Sequence, residues 1–255
     1  MARYTAALLT IVGSTVVPAA EAAPAVAAAS DLKFALEEVA RQFRADSGRD
    51  VRLTFGSSGN LARQIEQGAP FELFLSADED LVFGLAEKGL TRDRGALYAI
   101  GRIVLFVPAG SPIAPDADLD GLRSALAAGK VNHFAIANPE HAPYGRAAEQ
   151  ALRHAGLWQR LHGRLVLGEN VSQAAQFAVA GDTEGGIIAY SLAVAPTMAN
   201  RGRFALVPET WHAPLRQRMA LLKGATDDAT RFYVYLQSPP ARALMKRYGF
   251  ALPSE

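Results

Sequence analysis

The chain of 255 residues has no cysteine, which excludes disulfides, thiolate metal ligands and a cysteine nucleophile together and is compatible with an oxidising compartment. It also lacks an excess of either charge: 26 Lys and Arg against 25 Asp and Glu leave a formal net charge of +1. No stretch gathers basic residues onto one face, so the footprint of a nucleic-acid binder is missing and no nucleic-acid partner is expected. Histidine is sparse. His133, His141, His154, His162 and His212 show no HxxxH or HExxH spacing, so neither a zinc site nor a catalytic triad has local support. No GxSxG elbow, Walker-type loop or GxGxxG fingerprint follows a predicted strand, which leaves acyl transfer and nucleotide binding unsupported as well. Past the N-terminus, no apolar run approaches the ~18 residues that a membrane helix needs.

What is present is ordinary globular material, 50% hydrophobic and 20% charged, long enough for a large core in one domain or two lobes. The first residues set the compartment. Arg3 is followed by an apolar stretch from Ala6 to Val17 broken by Gly13, then Pro18 and the small residues Ala20-Glu21-Ala22. That order predicts a secretory signal peptide over residues 1–22, cleaved near Ala22, and places the mature chain in a periplasm. A buried N-terminal helix is the competing reading; the run is short and rich in Thr, and Pro18 ends it.

In the mature chain one unit recurs. Pro24 to Ala29 reads as a buried strand, Ser30-Asp31 as a polar turn, and Leu32, Ala35, Leu36, Val39, Ala40 and Phe43 recur at helical spacing. Val51 to Phe55 is a second strand, Gly56-Ser57-Ser58-Gly59-Asn60 a turn, and Leu61 to Gln67 a second helix. Phe71 to Leu75, Ser76-Ala77-Asp78 and Leu81 to Lys88 repeat the pattern. The alternation restarts with strands at 103–107, 134–137, 164–167 and 186–189 and helices at 119–128, 146–155 and 173–180. It closes with a strand at 217–222 and helices at 226–236 and 241–248. So many βα units suit two sheets better than one. The expected fold is α/β and two-lobed, each lobe a doubly wound mixed sheet with flanking helices. Lobe I takes residues 23–101 and 206–255, lobe II takes 102–205, and the ligand lies in the cleft at the carboxyl ends of strands.

The repeated strand, serine turn and helix start is the only chemical constellation that recurs. Ser30 sits where an N-cap belongs, and Ser57 and Ser58 invite the same structural reading. Brought to one cleft, however, such turns would aim hydroxyls, main-chain N–H groups and the positive ends of helix dipoles at one point. The result is an anion site without a cation. Hydrogen bonds to a charged group contribute about 1.5–3 kcal/mol each and micromolar affinity needs about 8 kcal/mol, so six or seven donors suffice.

The segments AAASDL at 27–32, FGSSGNLARQIEQGAP at 55–70, LFLSAD at 73–78, NPEHAPYGRAAEQAL at 138–152 and KRYGF at 246–250 together resemble the molybdate-binding proteins of ABC transporters, over essentially the whole mature chain. The resemblance implies a type II periplasmic-binding-protein fold that closes on molybdate or tungstate and delivers it to a membrane permease. It implies no cofactor and no enzymatic activity, and a monomer. Molybdenum enters only inside the oxyanion, so no side chain is read as a metal ligand. Carried over by position, the resemblance implies Ser30 as a donor through hydroxyl and N–H, Ser58 through its hydroxyl, and Tyr144 and Val171 through main-chain N–H groups. Some members place a tyrosine hydroxyl after the strand corresponding to Gly186-Ile187-Ile188; here Ala189 holds that position and Tyr190 follows one residue later, with its side chain reversed. The Tyr144 hydroxyl is the expected replacement.

Three neighbouring residues have plainer readings. Arg63 is expected in a structural ion pair, Asp78 as the cap of the third helix, and Asp31 is expected to point outward and complement a helix start. Asp31 also motivates an alternative ligand, because a carboxylate beside an oxyanion would suit one that carries a proton, such as phosphate; sulfate is the other tetrahedral alternative. An enzyme using His141 or Tyr144 in the same cleft lacks a paired nucleophile and base. The sensing domain of a transcription regulator lacks a helix-turn-helix extension.

Overall fold

A computed structural model describes residues 22–253. The expected signal peptide, but for Ala22, lies outside the described residues. The chain runs through β1 (Ala25–Ala29), a 3-10 turn (Ser30–Leu32), α1 (Lys33–Ser47), β2 (Arg52–Gly56), α2 (Ser58–Glu66), β3 (Leu73–Ser76), α3 (Glu79–Glu87) and β4 (Ala96–Gly101). It continues through β5 (Ile103–Pro108), α4 (Asp120–Ala127), β6 (Phe134–Ala137), α5 (Pro143–His154), α6 (Trp158–Leu161), β7 (Leu165–Gly168), α7 (Val171–Val179), β8 (Gly186–Ala189), α8 (Tyr190–Ala193) and β9 (Gly202–Leu206). After a second 3-10 turn, β10 (Leu215–Leu221), α9 (Asp227–Tyr235) and α10 (Pro239–Arg247) complete it.

Two five-stranded mixed sheets result, ordered β2-β1-β3-β10-β4 and β7-β6-β8-β5-β9. The chain leaves the first sheet at Arg102, between β4 and β5, and is back in it by Leu215. Strand β1, AVAAA, is buried along its whole length because helices cover both of its faces. On one face Leu32, Leu36, Leu75 and Phe232 form the core; on the other Phe74, Leu85 and Ile65 do. The second sheet packs Phe106, Phe134 and Ile187 among helices α4, α5 and α7.

Register puts the turns side by side. β1 pairs in parallel with β2, Ala29 opposite Gly56, and with β3, Ala28 opposite Leu75, so the turns after all three strands emerge at one edge. In the second sheet β6 pairs in parallel with β7, Ala137 opposite Gly168, which does the same for the segments leading into α5 and α7. Among the described residues no helix is long and apolar enough to cross a membrane, and no group of three or more His, Asp or Glu is placed to hold a metal ion.

The helices facing this edge begin earlier than their apolar periodicity predicts: α2 at Ser58 instead of Leu61, α5 at Pro143 instead of Arg146, α7 at Val171 instead of Gln173. A first helical turn needs no apolar residue, and Ser-Gly-Asn or Pro-Tyr-Gly carries turn chemistry in sequence while serving as N1 to N3 in space. Strands β4 and β9 and the short helices α6 and α8 had no counterpart in the periodicity. β4 is held by β10, across a register shift between Gln217 and Arg218.

Gly95, just before β4, sits at φ +64°, and a Cβ there would meet the Met219 carbonyl and lie 2.9 Å from the Ala220 side chain. Gly95→Ala is expected to cost about 2–4 kcal/mol, combining left-handed strain with a backbone clash. Urea unfolding checks it; a loss below about 1 kcal/mol would mean the β4–β10 pair yields.

Candidate oxyanion-binding site

Four helix starts meet at one small cavity between the lobes: Ser30 opening the turn into α1, Ser58 at α2, Tyr144 in the first turn of α5 and Val171 at α7. The cavity left between the lining atoms is small, about 10 Å³, far below the ~300–1,000 Å³ of sites for drug-sized molecules. A compact ion suits it. The walls are buried: Ser58 is 1% exposed, Ser30, Tyr144 and Val171 3% each. Because the first N–H groups of a helix have no carbonyl four residues back, Ser58 and Val171 as first residues and Tyr144 as second each bring an unspent main-chain donor. Pro143 occupies the first position of α5 and has no N–H to satisfy.

The serine hydroxyls are primed as donors by what they accept. Ser58 Oγ accepts from the Ala77 N–H at 3.0 Å, and Ser30 Oγ accepts from the Ser172 N–H at 3.3 Å, while Ser172 Oγ donates to the Ser30 carbonyl at 2.8 Å. Each hydroxyl keeps its own hydrogen to give. Neither side chain caps its own helix, so the reading of Ser30 as an N-cap is corrected: Ala29 holds that position and Ser30 is the first residue of the 3-10 turn. Ser57 is the N-cap residue of α2 without a capping bond; its Oγ instead shares a hydrogen with His141 Nδ1 at 3.0 Å, across the cleft.

Other bonds cross the same gap. The Gly59 N–H donates to the His141 carbonyl at 3.0 Å, Asn60 donates to Glu169, and Arg146 pairs with Asp78. Asp78 also caps α3, accepting from the Asp80 N–H at 3.0 Å, as its position suggested. Arg63 corrects its expectation, for its guanidinium bonds the Asn60 amide on the exposed side of α2.

Asp31 corrects a larger one. It does not point outward: the residue is 1% exposed and lines the cavity. Its Oδ2 accepts from the Tyr144 hydroxyl at 3.0 Å and from Gln217 Nε2 at 2.6 Å, and the Tyr98 hydroxyl holds Gln217 from behind, donating to Oε1 at 2.8 Å. Burial pushes the Asp31 carboxyl up to about 6, against the pull of Gln217, Tyr144 and the nearby N–H groups of Asp31 and Leu32. Burial and the Asp31 charge hold both tyrosine hydroxyls well above their ordinary range, so they stay donors. Of the residues lining the cavity Asp31 alone carries charge, and no Lys or Arg is among them.

The second-lobe tyrosines are thereby sorted. Tyr144 lines the cavity, but its hydroxyl hydrogen is committed to Asp31, which corrects the expectation of a free hydroxyl replacing the missing one; its N–H remains. Tyr190 is turned away, its ring against Gly249 and 5.6 Å from the Phe204 ring. Gln217, Tyr98 and Ser172 join the site unforeseen, and His141, weighed in the sequence only for an enzyme in this cleft, holds Ser57. For Gln217 a signal existed, since it shares inward parity with Leu215 and Met219 on β10. A polar side chain at a core position needs buried partners.

Two lobes, between which the chain crosses at Arg102 and again between β9 and β10, around a small buried cavity define a solute-binding protein of the type II periplasmic class. A family model described as bacterial extracellular solute-binding protein matches residues 24–251. The molybdate-binding protein ModA of Rhodobacter capsulatus is 34% identical over 97% of this chain and 96% of its own length. The solved periplasmic molybdate-binding protein of Azotobacter vinelandii superposes with a TM-score of 0.82 at 31% identity, covering 91% of this chain and 100% of that one. The sulfate-binding protein SubI of Mycobacterium tuberculosis shares the fold, with a TM-score of 0.72 at 17% identity over 91% of this chain and 87% of that one. The chain belongs to the ModA family of extracellular solute-binding proteins. Its members are substrate-binding proteins of ABC transporters and not enzymes.

Because the folded protein holds a proton on Asp31 between the unfolded value of 3.8 and about 6, while the unfolded chain does not, stability falls as pH rises through that window and stays lower above it. Asp31→Asn is expected to add about 1–3 kcal/mol of unfolding free energy near pH 7.5 and to flatten that slope. Thermal melts from about pH 4 to 8 read it; an unchanged slope would mean Asp31 is not the group responsible.

Proposed function

We propose that the chain is a periplasmic receptor that captures molybdate, and tungstate with it, and hands the anion to the permease of an ABC transporter. The observation that carries this reading is the cavity itself, in which helix N-termini and two serine hydroxyls with satisfied acceptor sites converge without a cation. Donors alone fix the number and spacing of oxygens, and selectivity follows from size and protonation. The ligand set is Ser30 and Ser58 through hydroxyl and N–H, with Tyr144 and Val171 through N–H; Ser57 supports it through His141. Lobe I is 23–101 with 206–255 and lobe II is 102–205. Export by a signal peptide cleaved near Ala22 brings the mature chain, a monomer, to its transporter.

Asp31 supports a second reading, in which the buried carboxylate accepts a proton from an anion such as phosphate. Calorimetric titration with molybdate, tungstate, sulfate and phosphate separates the two. Tight binding of the first pair with little of the others is expected, and equal affinity for sulfate or preference for phosphate would overturn the first reading. Ser58→Ala is expected to weaken binding by about 1–3 kcal/mol, roughly five- to 150-fold, because a charged acceptor loses its partner. An unchanged dissociation constant would remove Ser58 from the ligand set.

Gly59→Ala provides a test of closure. A Cβ there would lie 2.6 Å from the His141 carbonyl oxygen across the cleft, so the variant is expected to fold normally yet lose about tenfold or more in affinity. Unaltered affinity would show that the lobes need not approach so closely.

A further inference from the structure

The anion reading leaves a carboxylate inside an anion site, and the geometry shows where it can be accommodated. Asp31 Oδ2 is occupied by two donors, from Tyr144 and Gln217, whereas Oδ1 is buried with no hydrogen-bond partner among the described residues. The residue lines the cavity between Ser30 and the start of α5. A dianion entering this space meets a like charge in a buried site whose lining residues include no Lys or Arg, and a neighbouring like charge shifts a carboxyl strongly toward its neutral form.

We infer that the protein takes up a proton together with the anion, that the proton resides on Asp31 Oδ1, and that the resulting O–H donates a hydrogen bond to a bound anion oxygen. The inference rests on the oxyanion reading and adds a specificity-determining residue to it. The proton comes from solvent: a carboxylate and a proton become a carboxylic acid, and no bond of the anion breaks. Oδ1 is the oxygen free to be protonated because Oδ2 is already accepting twice. A group that repels the ligand at high pH thus becomes one more donor, and a fully deprotonated anion can be held without bringing a proton of its own.

Among the described residues no other titrating group lines the cavity with Asp31 except the Tyr144 phenol. From α5 and β4 the facing groups are the Tyr144 and Tyr98 phenols, both held neutral, and from β10 the Gln217 amide. From α8, Ser191 donates to the Asp31 main-chain carbonyl at 2.8 Å, and Tyr190 turns to Gly249. From α7, Ser172 is bonded to Ser30. On α1 the nearby cation, Lys33, lies over the Phe34 ring at 5.9 Å. His141 faces Ser57 and Glu169. With burial already drawing the Asp31 carboxyl up to about 6, its protonation lies within easy reach of a bound dianion.

Calorimetry of molybdate binding near pH 8, repeated in buffers of different ionisation enthalpy, counts the protons directly. Uptake of about one proton per anion is expected, with affinity falling about tenfold per pH unit above ~7. Asp31→Asn supplies an amide donor in place of the acid, and is expected to bind with no proton uptake and a flat pH profile, overtaking the parent protein at high pH. Binding by the parent protein without proton uptake would overturn the inference and leave the functional reading intact. Failure of the parent protein to bind molybdate or tungstate at any pH would overturn both. The parent titration decides the matter even if the variant does not fold.

Discussion

The unpaired N–H groups at the starts of helices are the constraint on which the rest of this structure turns. A helix leaves its first donors without intrahelical acceptors, and such groups cannot be buried without partners. Here several such starts are buried together at one edge of each sheet, because β1, β2 and β3 run parallel in register and β6 and β7 do the same. The fold therefore concentrates donors where no protein acceptor is supplied, and an oxyanion is the natural complement. Ala77 and Ser172 complete the logic by donating to the serine oxygens, which leaves the serine hydrogens pointing elsewhere.

Several of the bonds that hold the lobes against one another originate from the residues that wall the cavity or from their immediate neighbours. Ser30 reaches Ser172, Ser57 and Gly59 reach His141, and Asp31 reaches Tyr144. Closing the cleft and completing the anion shell are thus the same physical event, and a receptor built so reports occupancy through its shape. Asp31 is the node of this arrangement, since its carboxylate is held by α5 and β10 while its main-chain carbonyl accepts from α8.

Much of this was legible in the residues alone. The alternation of strands and helices, the serine turns and the segments at 55–70 and 138–152 pointed to a two-lobed anion receptor. The helix starts were read late because Ser58-Gly59-Asn60 and Pro143-Tyr144-Gly145 look like loops; their helical geometry is imposed by the strands they follow. Asp31 was read as outward-facing for a similar reason: beside a helix start, the local interaction with the dipole is visible in sequence, whereas Gln217, 186 residues away on β10, is not. Strand β4 went unread because its pairing with β10 across an irregular register is a long-range fact.

What the sequence determined by itself was the repertoire: neutral donors at strand-to-helix turns, no thiol, no histidine cluster, no one-sided charge. These follow from local spacing and composition, whose physical effects reach only a few residues along the chain. The tertiary structure alone decided which donors remain free. Ser30 and Ser58 became donors because Ser172 and Ala77 use their lone pairs, the Tyr144 hydroxyl ceased to be a free donor because Asp31 takes its hydrogen, and Tyr190 was lost to Gly249 and Phe204. A hydrogen bond engages its donor and acceptor in space, so the partners of each group are settled only when the two sheets and their loops have come together.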